Sequence, residues 1–386
     1  MKDFSETVFI VSAGALFYTW LLYPLALVVL RLFGSIQFRR DPAYLPSVSI
    51  VLVCLNEAKQ LVDRIENLLS LDYPRDKLEI IVASDGSTDR THEIAESYAD
   101  RGVTAVNFPA RRGKAPVHND LMGQVQGDIV VFTDTDPRFE RNLLRILMEP
   151  LADPRVGCVV GEIDWVNRGN NSLTRHQGLY WRFEILLRRL EGDLGVLTVG
   201  SGACMAVRRP LLRKLAKPSY DIDFITPLDV IEQGYFVLDD PTTIITDYVL
   251  PTPKGEFRAQ VRMTAKNFPG SLERWWQMRP WRFPGASISL VSHKFFRWLT
   301  PMFMIVAFMA NLFLVHAPLY RIALVCQLTF YGLASLGAVV PNHTARGGLG
   351  VLLMLPFSFC LANVAFLWGT LKGFFGKPIA TYQNIK

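Results

Sequence analysis

Cysteine is scarce in this chain. The five present among 386 residues, Cys54, Cys158, Cys204, Cys326 and Cys360, stand far apart with no CxxC pair. That argues against both a disulfide framework and a cysteine zinc site. The six histidines form no metal-ligand set either. Charge is thin: 20% of residues carry one, and 41 basic against 35 acidic side chains leave a net +6. A nucleic-acid binder concentrates Lys and Arg more heavily, so no nucleic-acid partner is expected. The balance suits a membrane surface or a phosphorylated small molecule better. Two phosphate-binding signatures are also missing. No GxxxxGK followed by Ser or Thr occurs, and no GxGxxG follows the first predicted strand, which disfavours a P-loop enzyme and a dinucleotide cofactor. Apolar residues, by contrast, are abundant at 50% of the chain, with a mean hydropathy of +0.21. This is too apolar for disorder and greasier than most soluble enzymes.

The apolar residues are not evenly spread. Residues 8–30 are free of charge, Arg31 being the first, and three more apolar runs cover about 299–319, 322–340 and 349–371. Each approaches the ~20 residues that a bilayer core demands. The first run lacks a small-residue cleavage site and reads as an anchor. Arg31, Arg39 and Arg40 follow it, against Lys2 before it, which places the middle of the chain in the cytoplasm. One span before that middle and three after it would put Lys372, Lys377 and Lys386 outside, a mild conflict with the same rule. A last helix that enters the membrane without crossing removes it. Residues 268–298 interleave Trp275, Trp276, Trp281 and Trp298 with Arg274, Arg279, Arg282, Lys294 and Arg297, a composition suited to the headgroup layer. The expected organisation is a membrane anchor in 1–40, a folded domain in 41–267, an interfacial segment in 268–298 and a membrane region in 299–386.

The middle domain alternates strands and helices. Residues 48–55 (VSIVLVCL) form a continuous, β-branched run of the kind a buried parallel strand requires. Further strands are predicted at 78–83, 103–107 and 128–133, with helices at 59–70, 89–98 and 116–124. The pattern predicts a mostly parallel, doubly wound α/β sheet, whose ligands sit beyond the carboxyl ends of its strands. Asn56 and Glu57 follow the first strand, Asp85 to Asp89 follow the second, and Asp134-Thr135-Asp136 follow the fourth. Two carboxylates one residue apart at such a turn can share a hard divalent cation, which in turn holds phosphate oxygens. Arg111, Arg112 and Lys114 around Gly113 offer cations and a flexible turn for the same diphosphate.

The succession VSIVLVCLNE, IIVASDGSTDRT, RGKAPVHND and GDIVVFTDTD resembles the inverting glycosyltransferases of family 2, with the GT-A fold, across residues 46–247. The flanking apolar runs are similar to the membrane-bound branch that includes the cellulose, chitin, hyaluronan and poly-N-acetylglucosamine synthases. The resemblance implies that Glu57 and Asp85 hold the base and ribose of a uridine diphosphate sugar, with Lys114 close by and Asn56 among the residues that bind the nucleotide sugar. It implies that Asp134 touches sugar or ribose, and that Asp136, with Asp134, ligates Mg²⁺ or Mn²⁺. Gly200-Ser201-Gly202 stands where the acceptor-side segment would be. Counting back from Gly234-Tyr235 puts Asp223 on the catalytic base, with Asp221 in reserve and Asp229 expected to face solvent. The processive branch carries a QxxRW signature. Here Arg262 keeps the arginine, with Arg258 and Lys266 at helical spacing, but the Gln is out of register and the Trp is absent. Trp275 or Trp276 would be the replacement ring.

Outside these motifs, Glu184 and Glu191 lie on a helix that would line the acceptor groove. His118 and Cys204 read as structural, and Asn170-Asn171-Ser172 fits a glycosylation sequon. The implied partners are a nucleotide sugar, a glycan or lipid-linked acceptor, and membrane lipid. The implied activity is transfer to a membrane-associated glycan. Two alternatives stand beside it: transfer of a single sugar to a polyprenyl-linked or other lipid, and a nucleotide-sugar-binding subunit without chemistry.

Overall fold

The structure, a computed structural model, describes residues 2–165, 172–247, 252–340 and 347–376. The Asn170-Asn171-Ser172 sequon, Lys377 and Lys386 fall wholly or partly outside them. The chain opens with α1 (Lys2–Phe17), a π-helical turn (Tyr18–Leu22) and α2 (Tyr23–Phe33). It then alternates through β1 (Val48–Cys54), α3 (Ala58–Leu69), β2 (Leu78–Asp85), α4 (Thr91–Glu96), β3 (Val103–Phe108), α5 (Lys114–Leu121) and β4 (Ile129–Thr133). A less regular half follows: β5 (Arg138–Phe139), α6 (Leu143–Met148), β6 (Val156–Trp165), α7 (Ser172–Asp193), β7 (Met205–Arg208), α8 (Ile222–Glu232) and β8 (Phe236–Asp247). The last part is helical: α9 (Pro253–Gln277), α10 (Pro284–Leu290), a second π-helical turn (Val291–Phe295), α11 (Phe296–Leu312), α12 (Pro318–Val339) and α13 (Gly347–Phe375).

Among the described residues, eight strands make one mixed sheet in the order β3-β2-β1-β4-β7-β6-β8-β5. Its first four strands are parallel. β7 runs antiparallel to both β4 and β6, while β6 and β8 are parallel and β5 is antiparallel to β8. All seven residues of β1 and all five of β4 are buried, because helices cover both faces of the sheet, as their uninterrupted apolar runs require. Leu52 pairs with Val82 on one side and with Thr133 on the other. The carboxyl ends of β1, β2 and β4 therefore finish at nearly one level, and the turns after them open into one crevice.

Among the described residues, four helical segments are long and apolar enough to cross a membrane: Asp3–Phe33, Pro284–Leu312, Pro318–Val339 and Gly350–Phe375. The second begins inside the stretch expected at the interface, and the boundary expected after residue 267 falls within α9, which continues unbroken to Gln277. α13 covers α9 through this stretch. A Cβ on Gly369 would lie 2.6 Å from the Thr264 Cβ, and one on Gly373 would lie 2.8 Å from the Ala265 carbonyl. Such contacts need glycine at both positions. The last helix thus ends against the domain, and Lys372 lies on the domain's side of the apolar segments.

The domain and the apolar helices share one core. Phe224 of α8, Phe268 of α9, Trp298 of α11 and Phe366 of α13 are buried in the same cluster as the sheet residues Val51, Val130 and Val207.

Candidate active site

Strand ends and short loops build the site. Asn56, directly beyond β1, has φ +54°, a left-handed turn that Asn tolerates better than most residues. Its Oδ1 accepts the Thr88 amide at 2.8 Å. The neighbouring amides of Glu57 and Ala58 donate to Thr91 Oγ1 and Asp89 Oδ2 at 2.8 and 3.1 Å. The turns after β1 and β2 are thereby stitched together, and Asn56 serves the stitch while Glu57 lines the crevice.

Asp85 ends β2 and is buried. Its two oxygens accept the amides of Arg112 and Gly113 at 2.7 and 2.8 Å, so one carboxylate shapes the loop that carries the cations. Gly86 makes room for that loop: it has φ +69°, and a Cβ there would lie 2.4 Å from the Arg111 nitrogen. Lys114, at the start of α5, reaches across to pair with Asp134 Oδ1. Glu57, Asp85, Arg111, Lys114, Asp134 and Asp136 are among the residues lining one cleft.

The turn after β4 is held from behind. Arg64 of α3, 0% exposed, donates to the Asp134 carbonyl at 3.1 Å, to Thr133 Oγ1 at 2.7 Å and to Asn67 Oδ1 at 2.7 Å. Its guanidinium lies 4.2 Å from the Phe139 ring centre. Burial, with Arg138 nearby, pushes its pKa down to about 9. Thr133 Oγ1 in turn donates to the Ala203 carbonyl at 2.7 Å, fixing the Gly200–Ala203 segment to the same strand end. Sequence periodicity places Leu61, Ile65, Leu68 and Leu69 on the buried face of α3. Arg64 shares that face and escapes the same reading, since an arginine on an apolar stripe looks like a break in it.

Asp223 stands in the first turn of α8, half-buried by its neighbours. Gly200 donates its amide to the Asp223 carbonyl at 2.8 Å. A Cβ on Gly202 would lie 3.2 Å from Asp134 Oδ2 and 3.5 Å from Asp223 Oδ2. The two carboxylates thus flank a space that any larger residue would fill. Burial first, then the charges of Asp221 and Asp134, pushes the Asp223 carboxyl up to about 6, with Lys266 and Lys114 opposing. Asp221 itself stands at the N-cap position of α8 and pairs with Lys266 of α9.

Not every expected residue joins this group. Glu184 is turned into a buried ion cluster with His293 Nε2, Lys294 and Arg297 at 3.1, 2.7 and 2.5 Å. Its helix packs against the apolar segments, so its carboxylate is committed away from the crevice. Glu191 belongs to the same cluster through Tyr23 and His293. Asp229 does not face solvent: α9 covers its side of α8, and it forms a buried pair with Arg274. Arg262 is half-buried on α9, one turn ahead of Lys266, and is not among the residues lining the cleft. Ser201 is buried between the two glycines, its Oγ 3.4 Å from the Ala203 amide. The ring beside the Asp223 helix is Trp298, 5.9 Å from Phe224, while Trp275 meets Phe295 and Trp276.

Asp134 and Asp136 are hard oxygen donors facing one cleft. Among the described residues no group of three or more His, Cys, Asp or Glu side chains could hold a metal by itself. Two carboxylates beside an open space suit a cation that keeps water and takes phosphate oxygens to complete its shell.

Known proteins share this architecture. A mannosyltransferase from Pyrobaculum calidifontis, PcManGT, solved with GDP-Man and Mn²⁺, superposes with a TM-score of 0.68 over 95% of this chain and 99% of its own, at 22% identity. At that identity the likeness is one of fold, and it extends through the apolar helices. Beta-monoglucosyldiacylglycerol synthase of Synechocystis is 30% identical over 168 residues, 42% of this chain and 35% of that protein. The poly-beta-1,6-N-acetyl-D-glucosamine synthase of Staphylococcus epidermidis is 25% identical over 223 residues, 53% of each chain. This chain thus spans between about a third and just over half of those relatives' length. The model of the family described as Glycosyl transferase family 2 matches residues 49–216, a stretch that runs from the second residue of β1 through β4 and includes the Asp134-Thr135-Asp136 turn and the Gly200–Gly202 segment. Residues 49–216, which bear the crevice, therefore form a stretch similar to the glycosyltransferases of family 2.

Proposed function

We propose that this chain is a metal-dependent, inverting glycosyltransferase that moves a sugar from a cytoplasmic nucleotide sugar, UDP-linked, to a hydroxyl of a membrane-associated glycan. The observation that carries the reading is the pair of carboxylates, Asp134 and Asp223, flanking the space at Gly202. The diphosphate lies along the cleft, with Lys114 and Arg111 as its cations and Glu57 and Asp85 towards base and ribose. Mg²⁺ or Mn²⁺ held by Asp136 and Asp134 would supply positive charge for the departing diphosphate. Asp223 takes the proton of the acceptor hydroxyl as that oxygen bonds to the anomeric carbon. The electron pair of the breaking glycosidic bond leaves with the nucleoside diphosphate, so one displacement inverts the centre. The raised pKa of Asp223 brings it nearer to neutrality, where a general base works best.

One observation favours a second reading, single-sugar transfer to a lipid. α13 lies directly on α9 through Gly369 and Gly373, which closes that route to a growing glycan, and the Trp of the processive signature is absent. The test uses protein in lipid nanodiscs with Mn²⁺, radiolabelled UDP- and GDP-sugars, and Asp223→Asn in parallel. Donor-specific product that falls by about 10²–10⁴-fold in the variant supports Asp223 as base. A high-molecular-weight ladder identifies a polymer, and one lipid-soluble band a single transfer. No turnover of any donor, with nucleotide binding intact, refutes the stand-alone enzyme.

A further inference from the structure

Four consecutive backbone carbonyls around the candidate cation site face guanidinium groups. Arg64 Nε donates to the Asp134 carbonyl at 3.1 Å. Arg138 Nη1 lies 2.8, 3.1 and 3.1 Å from the carbonyls of Thr135, Asp136 and Pro137. The far end of the turn is held as tightly. Asn67 Nδ2 donates to the Phe139 carbonyl at 2.8 Å, and Asn67 Oδ1 accepts the Phe139 amide at 3.0 Å and Arg64 Nη1 at 2.7 Å. Phe139 in turn stacks on Arg64.

Burying an arginine without a carboxylate against it is costly unless its donors are used. No carboxylate lies within ion-pair distance of Arg64 among the described residues. Its fork instead serves a carbonyl, a hydroxyl and an amide oxygen. A core position on α3 would be filled more stably by Leu or Met if packing were its only task. Because the carbonyls of residues 134–137 are drawn towards α3 and Arg138, the Asp134 and Asp136 carboxylates are left to the cleft side.

We infer that Arg64 and Arg138, locked by Asn67, form a clamp that pre-sets the Asp134–Asp136 turn for a divalent cation and diphosphate before either arrives. The inference rests on the proposal that those two carboxylates hold the cation. Arg64 and Arg138 are positioning residues: they touch neither substrate nor metal, and they act by fixing the backbone that aims the two acids. Groups that hold metal ligands from behind in this way typically change metal affinity by about 10–100-fold when removed.

The experiment is a Mn²⁺ titration of the full chain in nanodiscs, read by the electron paramagnetic resonance of free Mn²⁺, with UDP present. Arg64→Met and Arg138→Met are expected to weaken Mn²⁺ binding roughly 10–100-fold, while kcat at saturating Mn²⁺ stays within a fewfold of wild type. Arg64→Lys is expected to recover only part of the loss, since one ammonium cannot make the guanidinium's fork of bonds. A merely structural arginine would lower the unfolding temperature and leave the Mn²⁺ affinity of the folded fraction unchanged, and that result overturns the clamp. Should Arg64→Met fail to fold, Arg138→Met, at a half-exposed position, decides alone by the same criterion. Asp136→Asn separates the cation site from the clamp behind it. Wild-type Mn²⁺ affinity in that variant overturns the cation site itself. Loss of affinity there, with both arginine variants unchanged, overturns only the clamp.

Discussion

Asp223 carries the sharpest pH prediction. Its carboxyl is raised to about 6 by burial and by the acids around it, and the ionised form is the one that accepts a proton. Activity as kcat/KM should therefore fall about tenfold per pH unit below that value and level off above it. Lys266 opposes the rise. Removing it in Lys266→Met disfavours the carboxylate further, so the acid limb should move to higher pH. A profile unchanged by that substitution would place the limb on another group. Gly202 makes a second test. Gly202→Ala puts a methyl group 3.2 and 3.5 Å from two carboxylate oxygens, in the space between the proposed base and Asp134. Activity should drop by at least tenfold, about 1.4 kcal/mol in transition-state terms, with the unfolding temperature nearly unchanged.

Among the elements, loops decide more than the strands that bear them. Gly86 and Asp85 together set the loop before α5, one by leaving space and the other by accepting two amides. Gly86→Ala must either abandon its left-handed backbone or displace Arg111. We expect a loss of about 1–3 kcal/mol in stability and a raised KM for the donor, measured by thermal unfolding and by initial rates. α8 shows how a helix is aimed. Asp221 stands at its N-cap position, Gly200 binds the Asp223 carbonyl, and Arg274 of α9 holds Asp229 on its far side. Asp223 is thus gripped from the Gly200 segment and from α9 at once. Apolar periodicity announces α3, and the family resemblance places a helix at α8. Neither reports the burial of Arg64 or Asp229, which depends on partners 70 and 45 positions away.

At the scale of the molecule, the domain and the apolar helices are joined by charge as well as by grease. Glu184 and Glu191 of α7 meet His293, Lys294 and Arg297 of the second apolar segment and Tyr23 of the first. Both His293 nitrogens face carboxylate oxygens, at 2.9–3.1 Å. Truncation of one partner in a buried ion cluster typically costs about 3–5 kcal/mol. Glu184→Ala, which removes the carboxylate shared by His293, Lys294 and Arg297, should cost that much in thermal unfolding in detergent. A change under ~1 kcal/mol would show the cluster to be open to water, because exposed pairs contribute no more than that. The two π-helical turns, at Tyr18–Leu22 and Val291–Phe295, meet at this joint through the Tyr18–Ser292 hydrogen bond of 2.7 Å.

The buried strands, the apolar segments and the acidic turns at the strand ends are all dictated by the amino-acid order alone. Each is a local matter: a run of β-branched residues can be satisfied only inside a covered sheet, and charge-free runs only in an apolar surround. The gathering of acidic side chains in the crevice is equally legible at Glu57, Asp85, Asp134 and Asp136, because strand order sets where those ends come together. Long-range packing settled the rest. It turned Glu184 towards the apolar helices, covered Asp229 with α9, brought Lys372 back to the domain, and placed Arg64 behind the turn after β4. These outcomes depend on which distant helix covers which face, and a pairing between surfaces far apart in the chain leaves no period in the sequence for a reader to find.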